Sequence, residues 1–221
     1  MERAGGNADT QGVNRPVRRA AAIGAIAAVL LSLAAPAAGA YYVQYKEQFY
    51  ELYHQHYIAY PDDTMENIYW LERALSADFA NPLYALALIE NEVQYEKYRY
   101  LMNMHLYLKL IEQYLRLGSK WDKRVAYFYN APWKDQNLES LDTAESCYRA
   151  ALTYWDDARS WAEQANAARF RFLDLPRIRF WQDEAARIAS GDLDYAKTIE
   201  RELARVAKVR ADFRAMDAGT Y

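Results

Sequence analysis

From residue 44 onward, apolar positions recur at three- and four-residue spacing, the period of a helix buried along one face. Phe49, Leu52, Tyr53, His56, Tyr57 and Tyr60 share such a face, and Pro61 ends it, which predicts a first helix over 44–60. Asp63 followed by Glu66 matches a capping box and predicts a second helix to about residue 77, with Ile68, Leu71, Ala74 and Leu75 inward. Asn81-Pro82 reads as a cap followed by a first-turn proline. No breaker lies between Pro82 and Gly118, so the pattern predicts one central helix of about 54 Å ended by Gly118 as a C-cap glycine. One stripe on it holds Leu86, Ile89, Val93, Leu101, Met104, Leu108, Ile111 and Leu115, and a second holds Tyr84, Leu88, Tyr95, Tyr98 and Met102. A helix apolar on two sides packs against neighbours on both. Further helices are predicted over 121–129, 138–154, 156–172, 177–189 and 193–216, about eight in all, with a loop at 130–133 and breaks at Pro176 and Gly191.

Composition agrees with an all-α domain. Beyond residue 40 only Gly118, Gly191 and Gly219 remain, and Val and Ile number 12, too few for the turns and strands of a β or α/β domain of this size. All 33 aromatic residues, 20 of them Tyr, fall in residues 41–221. Tyr carries a rigid ring with a polar tip, suited to thick helix seams or to a surface that binds other chains. Residues 41–221 carry a net −5, which argues against a nucleic-acid grip.

Residues 20–40 are a 21-residue run without charge, preceded by Arg15, Arg18 and Arg19 and ending in Ala38-Gly39-Ala40. This is the arrangement of a secretory signal peptide with small residues at its cleavage site. An uncleaved anchor is the alternative, although Pro36 shortens the apolar stretch. Residues 1–40 are therefore set apart, and 41–221 are expected to be one helical domain exported to the periplasm or cell envelope. Cys147 is the single cysteine, so no internal disulfide forms, and its helical setting predicts a small buried side chain.

Three stretches resemble the second helix of a tetratricopeptide repeat. They are Leu71 to Asp78 with the following Asn81-Pro82; Ala144, Tyr148, Ala151 and Leu152; and Gly191-Asp192 leading to Ala196. Small alanines let helices approach, and the aromatic fills the space beside them. The resemblance covers about half of residues 41–221. It lacks the Trp-x-x-Leu-Gly opening, and the 77 residues from Ala74 to Ala151 are no multiple of the family's period. It implies antiparallel helix pairs stacked as a short solenoid around one long central helix. It also implies a scaffold that binds other envelope proteins, in a motility apparatus such as a flagellar collar, a secretion system or wall machinery.

Candidate chemistry is thin. His54 and His56 are two apart and point to different sides of a helix, and His105 sits among Met102, Met104 and Leu106. No metal site, cofactor or catalytic motif is expected. The competing reading is a small periplasmic ligand-binding or cell-wall-active all-α enzyme, with Glu90 or Glu92 as an acid. The partner-binding candidates are Tyr95 and Tyr98 on the central helix and Trp133, which follows Pro132 in a loop.

Overall fold

In the computed structural model, residues 42–126, 133–217 and 219 are described. The expected signal segment and the loop residues Tyr127 to Pro132 lie outside them. Residues Val43–Tyr221 form one compact unit, distinct from Met1–Tyr42, and its architecture follows.

Six α-helices are present among the described residues: α1 (Lys46–Ala59), α2 (Thr64–Ser76), α3 (Glu92–Trp121), α4 (Lys134–Ala165), α5 (Arg179–Ser190) and α6 (Tyr195–Ala215). No strand is present among them; a lone bridge joins Tyr45 to Asp78. No helix among them is long and apolar enough to cross a membrane.

The two long helices are the spine. Ring contacts run Tyr100–Trp161, Tyr107–Tyr154 and Tyr114–Tyr154, and the Ser140 hydroxyl donates to the Trp121 carbonyl, so α3 and α4 are antiparallel. Seven-residue steps dominate the seam. Tyr100, Tyr107 and Tyr114 recur along α3 while Ala144, Ala151, Ala158 and Ala165 are buried along α4. Alternation of large and small residues at this period interlocks two helices over their full length. Glu72 of α2 accepts from Tyr114 and Tyr154, and α2 lies antiparallel to both α1 and α3. Phe49 meets Trp70 near the start of α1, and the Lys46 ammonium closes the C-terminus of α2 through the Ala74 and Leu75 carbonyls at 2.8 and 2.9 Å. The last two helices, α5 and α6, both pack on α4. The core therefore sits around the middle of α3, where Tyr98, Leu101, Met102, Met104, Leu108 and Ile111 are fully enclosed.

Three expected boundaries change. The central helix does not start at Pro82: Pro82–Tyr84 is one 3-10 turn, residues 85–91 are irregular, and the helix begins at Glu92. The cause is local, since Asn91 accepts from the Gln94 N–H at 2.9 Å while the Gln94 side chain accepts from the Glu90 N–H at 2.7 Å. That reciprocal cap starts a helix and excludes one running through it. At its other end α3 passes through Gly118 to Trp121, so Gly118 is interior and no separate helix starts at Trp121. The helix expected over 138–154 and the part of the next one up to Ala165 are one element, α4, and the remainder to 172 is a connector with a 3-10 turn at Ala168–Phe170; Asp156 and Asp157 sit on the exposed side of α4, where a mid-helix Asp costs little. Elsewhere the punctuation holds. Asp63 caps α2 through the Glu66 N–H, and Gly191 ends α5 with a φ of 81°.

Candidate functional site

The first two turns of α3 hold two connectors in place. On one side, the connector over 77–91 is fastened by buried polar groups. The Glu47 carboxylate accepts from the Tyr98 hydroxyl at 3.0 Å and from the Ala80 N–H at 2.8 Å. Tyr98 in turn accepts from the Leu86 N–H, and Tyr95 donates to the Ala80 carbonyl at 2.7 Å. The Tyr95 and Tyr98 rings stack with centroids 6.1 Å apart. Burial, reinforced by the charge of Glu47, holds both phenols above their ordinary pKa, so they stay neutral donors. On the other side, the connector over 166–178 is fastened by Lys97. Its ammonium donates to the Leu173 carbonyl at 2.5 Å and to Gln182 at 2.8 Å, and burial lowers its pKa.

Both connectors, fixed from beneath, turn apolar side chains outward. Leu83 is 85% exposed, Tyr84 74% and Leu88 64% on the first, and Phe172 is 94% exposed on the second. Single exposed apolar residues are ordinary. Three on one irregular segment whose backbone is held by buried hydrogen bonds are a presented surface.

Of the residues expected to contact a partner, Tyr95 lies beneath this surface and is partly exposed, with the Arg99 guanidinium over its ring at 5.1 Å. Tyr98 has no exposed surface at all, so it cannot touch a partner and acts instead by holding the connector. Trp133 stands elsewhere, at the N-cap of α4, half exposed. Tyr95 and Tyr98 are thus brought together, and Trp133 is not part of their site. Sequence reasoning missed Tyr84 and Leu88 as surface residues because it placed them in a helical stripe, and Leu83 because it placed it within the same central helix. The Asn91 to Gln94 cap was the signal that they precede the helix. Glu90 and Glu92 belong to that cap and to the first turn of α3.

A second polar cluster joins α1, α3 and α5. The buried His105 ring stacks on Trp181 at 4.9 Å, contacts Glu184 through Nδ1 at 2.7 Å and Tyr50 through Nε2 at 3.0 Å. Burial lowers the pKa of His105, against the opposing pull of Glu184. With the imidazole neutral, both contacts are satisfied when Nδ1–H donates to Glu184 and Nε2 accepts from Tyr50. Burial and the Glu184 charge push the Tyr50 hydroxyl up to about 12, and burial raises the Cys147 thiol. Neither group is activated as a nucleophile. The relay works as a pin between three helices. A polar groove of about 730 Å³ runs between α4 and α5, lined among others by Asp156, Arg159, Glu163 and Asn166. Among the described residues, His56, Asp63 and Glu66 at the turn between α1 and α2 form a group that could hold a metal.

Residues 93–216 match a family described as a domain of unknown function, DUF8513. No curated protein matches the chain, and no solved structure does. The matched region spans α3 to α6 and includes the first turns of α3 that carry Tyr95 and Lys97. It exceeds half of the 221 residues, and the chain belongs to the DUF8513 family.

Proposed function

We propose that this protein is an exported scaffold of the tetratricopeptide-like kind, which binds another envelope protein through the connector over 77–91. One observation carries the reading: Leu83, Tyr84 and Leu88 are turned to solvent on a backbone anchored from below by Glu47, Tyr95 and Tyr98. A pre-ordered apolar segment loses little entropy on binding and supplies the aromatic and aliphatic anchors typical of interface centres. The successive antiparallel pairs α1–α2 and α3–α4, with Ala74 and Ala151 fully buried in their seams, support a repeat-like scaffold. Export rests on the apolar residues 20–40 and their basic flank.

The test is site-specific photocrosslinking in the native host. A crosslinker at Leu83 or Leu88 should capture a discrete protein, and one at the exposed Arg159 on α4 should not. Tyr84→Ser should reduce capture while leaving the thermal midpoint nearly unchanged. Capture that is equal from all three positions, or absent from the connector, sinks the reading.

A further inference from the structure

We infer that His56, Asp63 and Glu66 form a binding site for a divalent transition cation of the zinc type, tying the end of α1 to the start of α2. This goes beyond the proposed scaffold role and stands independently of it. One ligand atom from each side chain lies within 4.8 Å of the other two. His56 comes from the last turn of α1, Asp63 is the N-cap of α2 and Glu66 lies in its first turn, so the three meet only because the turn at Tyr60 to Asp62 closes tightly.

The outer contacts of the histidine give the site its direction. Asn67 has no exposed surface, and its amide nitrogen donates to the Tyr60 carbonyl at 3.3 Å, so its oxygen must face His56. That oxygen lies 3.0 Å from His56 Nδ1, which fixes Nδ1 as a donor and leaves Nε2 as the ring atom turned to the carboxylates. A metal-binding imidazole is oriented in this way, with its other nitrogen donating to a fixed oxygen. Nε2 then faces Glu66 Oε2 at 3.4 Å. A proton or a metal ion between these two atoms would satisfy both.

The remaining oxygens are placed for the same purpose. Glu66 Oε1 is held at 3.2 Å by the Trp70 indole N–H, and Asp63 Oδ1 caps the Glu66 N–H, which leaves Glu66 Oε2 and Asp63 Oδ2 available. Among the described residues neither carboxylate is paired with a Lys or Arg, although Lys120 is close; its ammonium is engaged by the Asp62 carbonyl and the Thr64 hydroxyl. Zinc holds nitrogen and carboxylate oxygen at about 2.0–2.2 Å in a tetrahedron, so its donors stand about 3.4 Å apart. The His56–Glu66 pair already has that spacing, and Asp63 adds the carboxylate oxygen that its cap hydrogen bond leaves over. Asp63 also lines a cavity of about 380 Å³ with Met65, Lys120 and Trp121, so its side chain borders open space. One nitrogen and two carboxylate oxygens with an open fourth position suit zinc, cobalt or manganese rather than copper(I) or an iron–sulfur cluster.

The test uses the untagged full-length chain after chelator treatment. Cobalt(II) serves as the spectroscopic probe and zinc(II) as the ligand in thermal melts. A single site should give visible cobalt absorption of a tetrahedral nitrogen–oxygen centre, and zinc should raise the thermal midpoint. His56→Gln should weaken binding at least tenfold. Asp63→Asn should do the same while preserving the cap, since Asn caps as well as Asp. The control is His54→Gln, an exposed position on the same helix, which should bind as the unaltered protein does. Each variant is first checked for unchanged helix content without metal. Absent cobalt absorption together with an unmoved midpoint overturns the site. So does binding that survives both His56→Gln and Asp63→Asn, or that falls equally in His54→Gln.

Discussion

Gly118 shows how a single residue can be read correctly as necessary and incorrectly as to why. Glycine near the end of an apolar run suggests a C-cap, yet α3 continues three residues beyond it. What requires the missing side chain is the Tyr148 ring from α4. A Cβ on residue 118 would lie 2.5 Å from Tyr148 Cε1 and 2.9 Å from Cδ1. That ring is 1% exposed, and its hydroxyl donates to Asp122 at 3.0 Å, so it cannot swing aside cheaply. Gly118→Ala therefore sets two effects against each other. Helix propensity favours Ala by about 1 kcal/mol, and overpacking costs about 1–3 kcal/mol. Denaturant titration should show net destabilisation of about 1 kcal/mol, whereas a gain in stability would mean that the ring yields. Tyr98 carries the same lesson for the candidate site. Its place beside Tyr95 was legible from three-residue spacing, but whether its face met solvent or the buried Glu47 depended on a contact 51 residues away. Residue type and helical period do not encode that distance.

At the scale of elements, caps decided what hydrophobic periodicity could not. The stripes along 82–117 continue through Leu86, Ile89 and Val93 without a break, and periodicity alone extends the helix across them. The Asn91–Gln94 cap halts it, because Asn91 satisfies the free Gln94 N–H in the first turn of α3, and Gln94 the Glu90 N–H before it, only when the chain turns in at residue 91. Asn91→Ala should cost about 0.5–2 kcal/mol. The loss should fall on the first turns of α3 and on the connector before them. Hydrogen exchange checks this: the amides of Leu86 and Gln94 should lose protection while those of the α4 midsection keep theirs. Uniform loss of protection would mean that the cap matters only to global stability. The opposite error occurred at Asp156-Asp157, where a cap-like pair sits mid-helix. There the buried alanine ladder on the other face outweighs a small propensity cost, and that ladder is visible only once α3 lies against it. Boundaries set by side chain to nearby backbone were present in the sequence; boundaries overruled by a distant helix were not.

The molecule as a whole is stapled by tyrosines, and this gives it a defined response to alkali. Burial, aided in each case by neighbouring negative charge or a neighbouring phenol, raises the pKa of Tyr50 to about 12 and also raises those of Tyr53, Tyr98, Tyr114, Tyr148 and Tyr195. These six rings come from α1, α3, α4 and α6, so the effect is spread through the fold. A phenol in the unfolded chain loses its proton near pH 10. Above that pH the unfolded state binds fewer protons than the folded one, and stability falls as pH rises. The contribution is complete below pH 10; for Tyr50 it is lost as pH climbs through about 12. Lys46 acts in the opposite sense. Burial lowers its ammonium from 10.5 to about 8, so over that window the unfolded chain holds a proton the folded one has released, and stability rises with pH. Lys97, also lowered by burial, acts in the same sense, but the two lysines are outnumbered by the tyrosines, and the effect of Lys46 is finished just as theirs begins. Stability should therefore hold or increase slightly from pH 8 to 10 and then collapse. Ultraviolet phenolate absorbance and far-ultraviolet circular dichroism, followed on one sample, check the mechanism. The buried phenols should ionise in a single cooperative step that coincides with loss of helix. Gradual ionisation of all tyrosines near pH 10 with the helices intact would show that these rings are solvated and that the seams are held by the alanine ladder and aliphatic packing instead.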